Sequence, residues 1–264
     1  MKCDELKKQH TITEQHKYMT NQDKVFQQTG RVEDFSFNDR VAQVFDNMVS
    51  RSVPFYNEIQ RIQADLIIDI LPEEAGVVCD LGCSTGTTIE HIAKHKKCPA
   101  STRFIGYDNS EPMLDKARTK LSEQIDSGKV SLISADLSCL PELPPCHVVI
   151  LNWTLQFVRP IDREHLLRNI YDALKPGGIL LLSEKILGND PVLNRLYIDH
   201  YLQFKTNLSG YTDAENQRKR EALENVLIPY RLDENYALLA RAGFKQMDTY
   251  FRWLNFVCII AIKD

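Results

Sequence analysis

Val77-Val78-Cys79-Asp80-Leu81-Gly82-Cys83-Ser84-Thr85-Gly86 is an apolar run that ends in an acid and runs into a tight loop between glycines. Thr87-Thr88-Ile89-Glu90-His91-Ile92-Ala93 follows with apolar residues at helical spacing. The pattern reads as a strand, a close-approach turn and a helix start. Such a unit brings backbone N–H groups to a nucleotide-like ligand at a helix N-terminus.

Downstream, strands and helices alternate. Thr102–Tyr107 reads as a second strand ending at Asp108. Ser110 caps the helix after it, with Glu111 and Pro112 in the first turn. Val130–Ser134 is a short strand followed by Asp136, and Val148–Leu151 is a buried strand ending at Asn152. Arg163–Leu174 reads as a helix, and the Pro176-Gly177-Gly178 turn leads into the apolar run Ile179–Ser183. A polar, charged and helical insertion over 190–228 then interrupts the series. Leu232–Ala242 is a helix stopped by Gly243, and Lys245–Tyr250 with Asn255–Ile262 reads as a terminal antiparallel pair. Upstream, Val41, Val44, Phe45, Met48 and Val49 mark an amphipathic helix that ends at Pro54. A second helix runs from about Asn57 to Leu71 and stops at Pro72. The fold class is α/β, with helices on both faces of a mostly parallel sheet. Residues 1–33 are polar and aperiodic and read as a disordered extension, leaving 34–264 as one domain.

Composition narrows the function. With 264 residues and 43% hydrophobic content, the chain can build a substantial core. A net charge of −4 argues against a broad nucleic-acid-binding surface. No apolar run approaches the ~18 residues of a membrane span. The charged N-terminus lacks the apolar centre of a signal peptide. Seven scattered cysteines, an odd number, read as reduced thiols, so the cytoplasm is the natural compartment. No paired C-x-x-C zinc pattern is present, and no metal is expected.

Asp80, Asp108, Asp136 and Asn152 all fall at predicted strand ends, where the ligand crevice of an open parallel sheet lies. A lone aspartate at such a place is often a cap or turn residue, but four on one rim beside a glycine loop point to a binding site. The loop lacks the middle and later glycines of G-x-G-x-x-G, so a dinucleotide fits poorly. The shorter acid-x-G-x-x-x-G spacing matches S-adenosylmethionine (SAM) enzymes. In that setting Asp108 suits the ribose hydroxyls, and Asp136 or its backbone suits the adenine amino group. These residues do not identify the acceptor. A carboxyl transferase, an ordinary SAM-dependent small-molecule methyltransferase and a non-catalytic SAM-binding module all share such a loop.

Segments outside the loop carry a closer likeness. Phe37–Phe45, Ser50-Arg51-Ser52-Val53-Pro54, Asp80-Leu81-Gly82-Cys83-Ser84 and Asp108-Asn109-Ser110 resemble the carboxy-S-adenosylmethionine synthases. So do Leu151-Asn152, Leu155-Gln156-Phe157, Ser183-Glu184-Lys185, and Lys219-Arg220 with Leu223-Glu224-Asn225-Val226. The likeness spans about 34–262. It implies a class I methyltransferase (Rossmann-like) fold with a seven-stranded sheet, and a homodimer. It also implies a reaction in which prephenate becomes phenylpyruvate and its CO2 is captured on the SAM methyl carbon, giving carboxy-SAM for modification of tRNA wobble uridine. A sulfonium acidifies its methyl group, which makes such capture chemically reasonable.

By position, the resemblance implies that Arg220 holds the new carboxylate, which a guanidinium can grip with paired hydrogen bonds. Within Arg218-Lys219-Arg220, composition alone would read it as a solvated charge. Tyr56 would line the cofactor pocket, with Gly82, Cys83 and Ser84 forming the loop. Asp108 and Asn109 would meet the adenosine, Asp136 and Leu137 would flank the adenine, and Asn152 would lie near the amino-acid or sulfonium end. Cys83 would act through its backbone rather than as a nucleophile, having no histidine nearby. Arg51 is a candidate for binding prephenate, or equally a charge facing a helix C-terminus. No residue stands out as a general base. The chain departs from the family at Phe55, where a glycine is usual, at Trp153, which replaces a smaller aromatic, and around Asn207–Tyr211, which has extra residues.

Overall fold

A computed structural model describes residues 25–27, 32–140 and 142–264. The chain begins with α1 (Asp39–Ser52) and α2 (Tyr56–Ile70) and continues through β1 (Val77–Leu81), α3 (Thr87–Ala93), β2 (Arg103–Asp108), α4 (Glu111–Lys120), α5 (Ser122–Asp126) and β3 (Val130–Ser134). Next come β4 (Cys146–Asn152), α6 (Pro160–Ala173), β5 (Leu174–Lys185), α7 (Pro191–Asn207), α8 (Asp213–Leu223), α9 (Leu232–Ala242), β6 (Gln246–Trp253) and β7 (Phe256–Ile262).

The seven strands form one sheet in the order β3-β2-β1-β4-β5-β7-β6. Every pairing is parallel except those of β7 with β5 and β6. From β1 the chain winds outward to β2 and β3, then returns to place β4 on the other side of β1. The crevice between the carboxyl ends of β1 and β4 is therefore a topological switch point, where open α/β sheets bind ligands. All residues of β1 are buried, as expected of a central strand covered on both faces.

Side-chain alternation divides the core. Val149, Leu151, Leu180 and Leu182 face α6 and α9, while Val148, Ile150, Ile179 and Leu181 face α2 and α3. A third, smaller cluster joins Val41, Ala42 and Met48 of α1 to Met113 of α4 and holds α1 over the strand ends. Caps fix the helix starts. Asn38 accepts the Val41 amide, Ser110 accepts that of Met113, Asp190 accepts those of Val192 and Leu193, and Thr212 with Glu215 forms a capping box.

Differences from the sequence expectations lie at boundaries. β5 starts at Leu174 because that residue pairs with Cys146 across a register shift, so the Pro-Gly-Gly turn lies inside the strand's span as an irregularity. α6 begins earlier than expected, at Pro160 in its first turn, where a missing N–H costs nothing. The insertion is α7 and α8, as expected. Most of the 1–33 extension lies outside the described residues. Val25 and Phe26, however, pack on the α1 cluster, with Phe26 stacked on Phe35 at 6.4 Å, so this part of the extension is not loose. Among the described residues no helix is long and apolar enough to cross a membrane.

Candidate active site

A cavity of about 380 Å³ opens at the switch point, between the sheet, α1 and the helical insertion. Gly82, Ser84, Asp108, Asn109, Asp136, Leu137 and Asn152 all line it. A smaller space of about 40 Å³ lies beside it, bordered by Tyr56, Gln60, Asp80 and Cys83, and shares Gly82, Ser84, Asn152 and Trp153 with its neighbour. The sequence-predicted residues other than Arg51 and Arg220 thus meet in two adjoining spaces.

Gly82 is where the loop needs a glycine. Its φ is +78°, and a Cβ there would lie 2.5 Å from the Thr154 side chain. The expectation of free loop amides is corrected, however. The N–H groups of Gly82 and Cys83 both donate to the Tyr107 carbonyl, at 2.7 and 2.9 Å, and that of Gly86 donates to Cys83 O at 2.8 Å. The Ser84 amide donates to Asp108 Oδ2 at 2.8 Å. These amides are engaged inside the protein, so the loop offers close approach rather than an anion cradle. Such a surface suits a ligand without phosphate. The buried Cys83 thiol is pushed well above its usual range by burial, then by the nearby Asp80 and Asp108 charges, which disfavours the thiolate that a nucleophile needs. Asp46 of α1 accepts Thr85 Oγ1 at 2.5 Å and Lys120 Nζ at 2.7 Å, tying α1 to the loop.

Asp108 accepts the Ser84 amide on one oxygen and the Ser110 amide, at 2.9 Å, on the other. Its carboxylate is held rigidly with lone pairs remaining for ligand hydroxyls. Burial raises its pKa while these amides oppose the rise. Asp136 is oriented by the Ser138 amide at 2.8 Å. Burial, then Asp108, pushes Asp80 up to about 7. Asp80 Oδ2 and Trp153 Nε1 are buried with no partner among the described residues. Orphaned polar atoms of this kind mark a place completed by a ligand. A cationic amino-acid end beside Asp80, with a ribose against Asp108, would satisfy the carboxylate. The residues therefore fit SAM. Tyr56 stands at the start of α2 with its ring 5.5 Å from that of Trp153, and its hydroxyl pKa is raised by burial, then by Asp46 and Asp80.

Asn152 is locked by partners that the sequence does not advertise. Its Nδ2 donates to Gln63 Oε1 at 2.8 Å, while Gln63 Nε2 donates to Asn152 Oδ1 at 2.8 Å. Ser183 Oγ also donates to Asn152 Oδ1, at 2.8 Å. Arg163, fully buried, fixes the opposite rim by donating to the carbonyls of Val158 at 2.9 Å and Ile228 at 2.7 Å.

A methyltransferase-domain family model matches residues 78–178. Among solved structures, human N-acetylserotonin methyltransferase in complex with SAM superposes with a TM-score of 0.55 at 19% identity, covering 85% of this chain and 55% of that one. An O-methyltransferase family protein from Burkholderia thailandensis gives 0.60 at 18% identity, covering 86% and 60%. These share the fold. Much nearer in sequence is the carboxy-S-adenosyl-L-methionine synthase of Desulfotalea psychrophila, 44% identical over 91% of this chain and 97% of that protein. The enzyme of the same name from Methylococcus capsulatus is 42% identical over 92% and 100%. The chain belongs to the carboxy-S-adenosyl-L-methionine synthase family.

Within this carboxy-SAM synthase scaffold, Arg220 sits in the last turn of α8 on its exposed side, and its neighbour Lys219 faces the cavity instead. Successive helix residues point about 100° apart, so one α8 orientation cannot direct both inward. Burial, then the Arg220 charge, nevertheless lowers the pKa of Lys185 at the cavity wall. Arg51 is already engaged: its Nε donates to Ser209 O at 2.6 Å and its guanidinium lies 4.1 Å from the Tyr211 ring centroid. It pins the segment before α8, the region of extra residues. Phe55 and Trp153, the other departures, both have left-handed backbone, with φ of 58° and 54°. Gln63 and Asp46 were missed by motif reading, and the cavity-facing Lys185 and Lys219, though inside segments that carry the family likeness, were given no site role.

Proposed function

We propose that this chain makes carboxy-SAM from SAM and prephenate, releasing phenylpyruvate. The observation that carries the reading is the polarity of the cavity. Carboxylates at the ends of β2 and beyond β3 lie on one side, and the cations Lys185, at the end of β5, and Lys219 lie on the other. A methyl transfer to a neutral acceptor has no use for that cationic side, whereas handling CO2 from a dicarboxylate does. Gly82, Ser84, Asp108, Asn109, Asp136, Leu137 and Asn152 would surround the cofactor with Tyr56, and Arg220, on the exposed side of α8, would have to turn inward to hold the transferred carboxylate. The reaction balances without a protein base. Prephenate loses CO2 and hydroxide, the methyl carbon loses a proton and gains CO2, and the hydroxide and proton leave as water.

The product's use would be in tRNA wobble-uridine modification in the cytoplasm, without direct nucleic-acid binding by this acidic chain. A homodimer is supported by α7, which leaves Val192, Leu193 and Leu196 exposed in an apolar stripe of the kind a second copy covers.

Incubation with SAM and prephenate is the test, read by mass spectrometry. The expected products are phenylpyruvate and a cofactor heavier by one CO2. S-adenosylhomocysteine as the product, with turnover indifferent to Arg220→Leu, would assign an ordinary methyltransferase. Retained SAM without turnover would assign a binding module.

A further inference from the structure

Three lysines converge where the insertion meets the sheet. Lys185 ends β5, Lys205 lies near the end of α7 and Lys219 lies in α8. Lys185 and Lys219 line the large cavity, and Lys205 is only 5% exposed. The Lys205 and Lys185 ammonium groups lie 4.8 and 5.1 Å from the centroid of one ring, that of Tyr201, which is itself part of the cavity wall. Lys219 Nζ donates to Ser52 Oγ at 2.6 Å. Among the described residues, the lysines in ion pairs are Lys94, Lys120 and Lys245; neither Lys185 nor Lys205 has a carboxylate partner.

Crowding ammonium groups in this way is unfavourable. Burial, then Lys219 and Lys185, lowers Lys205 to about 7, and burial, then Arg220, lowers Lys185 to about 8. The tyrosine faces offset only part of this, since cation–π contacts are worth a few kcal/mol at most. An anion entering the cavity beside Tyr201 would relieve the repulsion, and one with more than one carboxylate would answer more than one lysine.

We propose that Lys185 receives a carboxylate of the second substrate, a dicarboxylate, with Lys205 supplying a supporting charge on the same Tyr201 ring. The identity of that dicarboxylate as prephenate rests on the reading above. The site is separate from Arg220, which is left for the group transferred to the cofactor. It places the donor on the insertion side of the cavity, opposite Asp80 and Asp108.

The test compares wild-type protein with Lys185→Met, Lys205→Met and the charge-retaining Lys185→Arg. SAM dissociation constants and melting temperatures serve as controls for the cofactor half and for folding. Two readouts are used: the KM for prephenate, and the rise in melting temperature that malonate, a small non-reacting dicarboxylate, produces in the S-adenosylhomocysteine-loaded protein. Lys185→Met is expected to raise KM by about tenfold or more, as loss of a charge-assisted contact does, and to abolish the malonate response. Lys205→Met should weaken both, and Lys185→Arg should largely restore both. Wild-type KM and malonate response in a folded Lys185→Met protein would overturn the assignment. If the wild-type enzyme does not turn over prephenate, the proposed reaction fails, and the malonate arm still decides the site. A response lost in Lys185→Met sustains the site, and no response in the wild type overturns it.

Discussion

Gln63 and Asn152 form a reciprocal amide pair, each donating to the other's carbonyl oxygen at 2.8 Å, and this fixes the polar side chain at the end of β4. Gln63 is fully buried in α2, and its amide is also within 2.9 Å of the Tyr250 hydroxyl from β6. Orientation at the switch point is thus transmitted from an edge strand through a helix.

Substituting Gln63 by Leu should therefore act on the ligand without touching it. Asn152 would lose both halves of the pair while remaining partly buried. Asn152 Oδ1 would keep the Ser183 hydroxyl and Nδ2 a longer contact to Thr88 Oγ1 at 3.3 Å, so the loss is that of the two amide hydrogen bonds, about 1–3 kcal/mol. SAM affinity is expected to fall between about fivefold and a hundredfold, read by titration calorimetry. An unchanged dissociation constant would show that Asn152 keeps its orientation without Gln63.

Gly82→Ala tests the close-approach role of the loop. The new Cβ would require φ near +78° and would lie 2.5 Å from Thr154. Left-handed backbone alone costs a non-glycine residue about 1–2 kcal/mol. Because the loop amides are held by Tyr107 and Asp108, the loop cannot yield locally. The expected outcome is a lowered melting temperature with SAM binding lost or reduced by more than tenfold. Pairing the change with Thr154→Ala should recover part of the loss, because it removes the clash and leaves only the strained φ.

How far these relationships were readable beforehand depends on whether they are local. β1, β3 and α9 have the bounds expected from their apolar runs and the punctuating acids and glycines, because continuous burial leaves a continuous signature. The strand-end residues Asp108 and Asn152 were visible because topology sends every parallel strand's end to one rim. The direction of the loop amides was not visible. It depends on the Tyr107 carbonyl of the neighbouring strand, which no spacing within the loop encodes. Gln63 was hidden for a similar reason. It sits among apolar residues of an ordinary helix, and its partner Tyr250 is 187 residues away. In the polar insertion, no spacing marks Lys205 and Lys219 as buried, since only packing against Tyr201 and Tyr211 turns them inward.

Asp80 supplies a pH dependence with a definite sign. In the free protein its carboxyl is raised from 3.8 to about 7, so it is largely protonated at pH 5. A cationic ligand end beside it favours the ionised form and lowers its pKa in the complex. Binding below pH 7 therefore releases a proton. SAM affinity should rise with pH from 5 to about 7, by up to tenfold per unit, and then level off. Asp80→Asn should bind more weakly at pH 7 and lose this slope. A flat profile in the wild-type protein would place the cation elsewhere. The same shift affects the free protein's stability. A carboxyl raised on folding favours the native state fully below its unfolded pKa, and that contribution is lost as pH climbs through about 7.

Phe55 offers a stability test in which glycine should outperform alanine. Its backbone is left-handed, at φ 58° and ψ 32°, immediately before α2, which gives a physical reason for the glycine usual there in the family. What holds it are ring contacts to Phe251 at 5.9 Å and Trp253 at 6.4 Å. Phe55→Ala discards those contacts and keeps the strain. Phe55→Gly discards the same contacts and removes the strain, by about 1–2 kcal/mol. For a chain of this size that difference corresponds to roughly 2–8 °C in melting temperature. The glycine variant should therefore melt above the alanine variant, with the phenylalanine protein close to the glycine one because half-exposed ring contacts and strain are of similar size. If the alanine variant melted higher, the left-handed turn at the start of α2 would not be the conformation in solution.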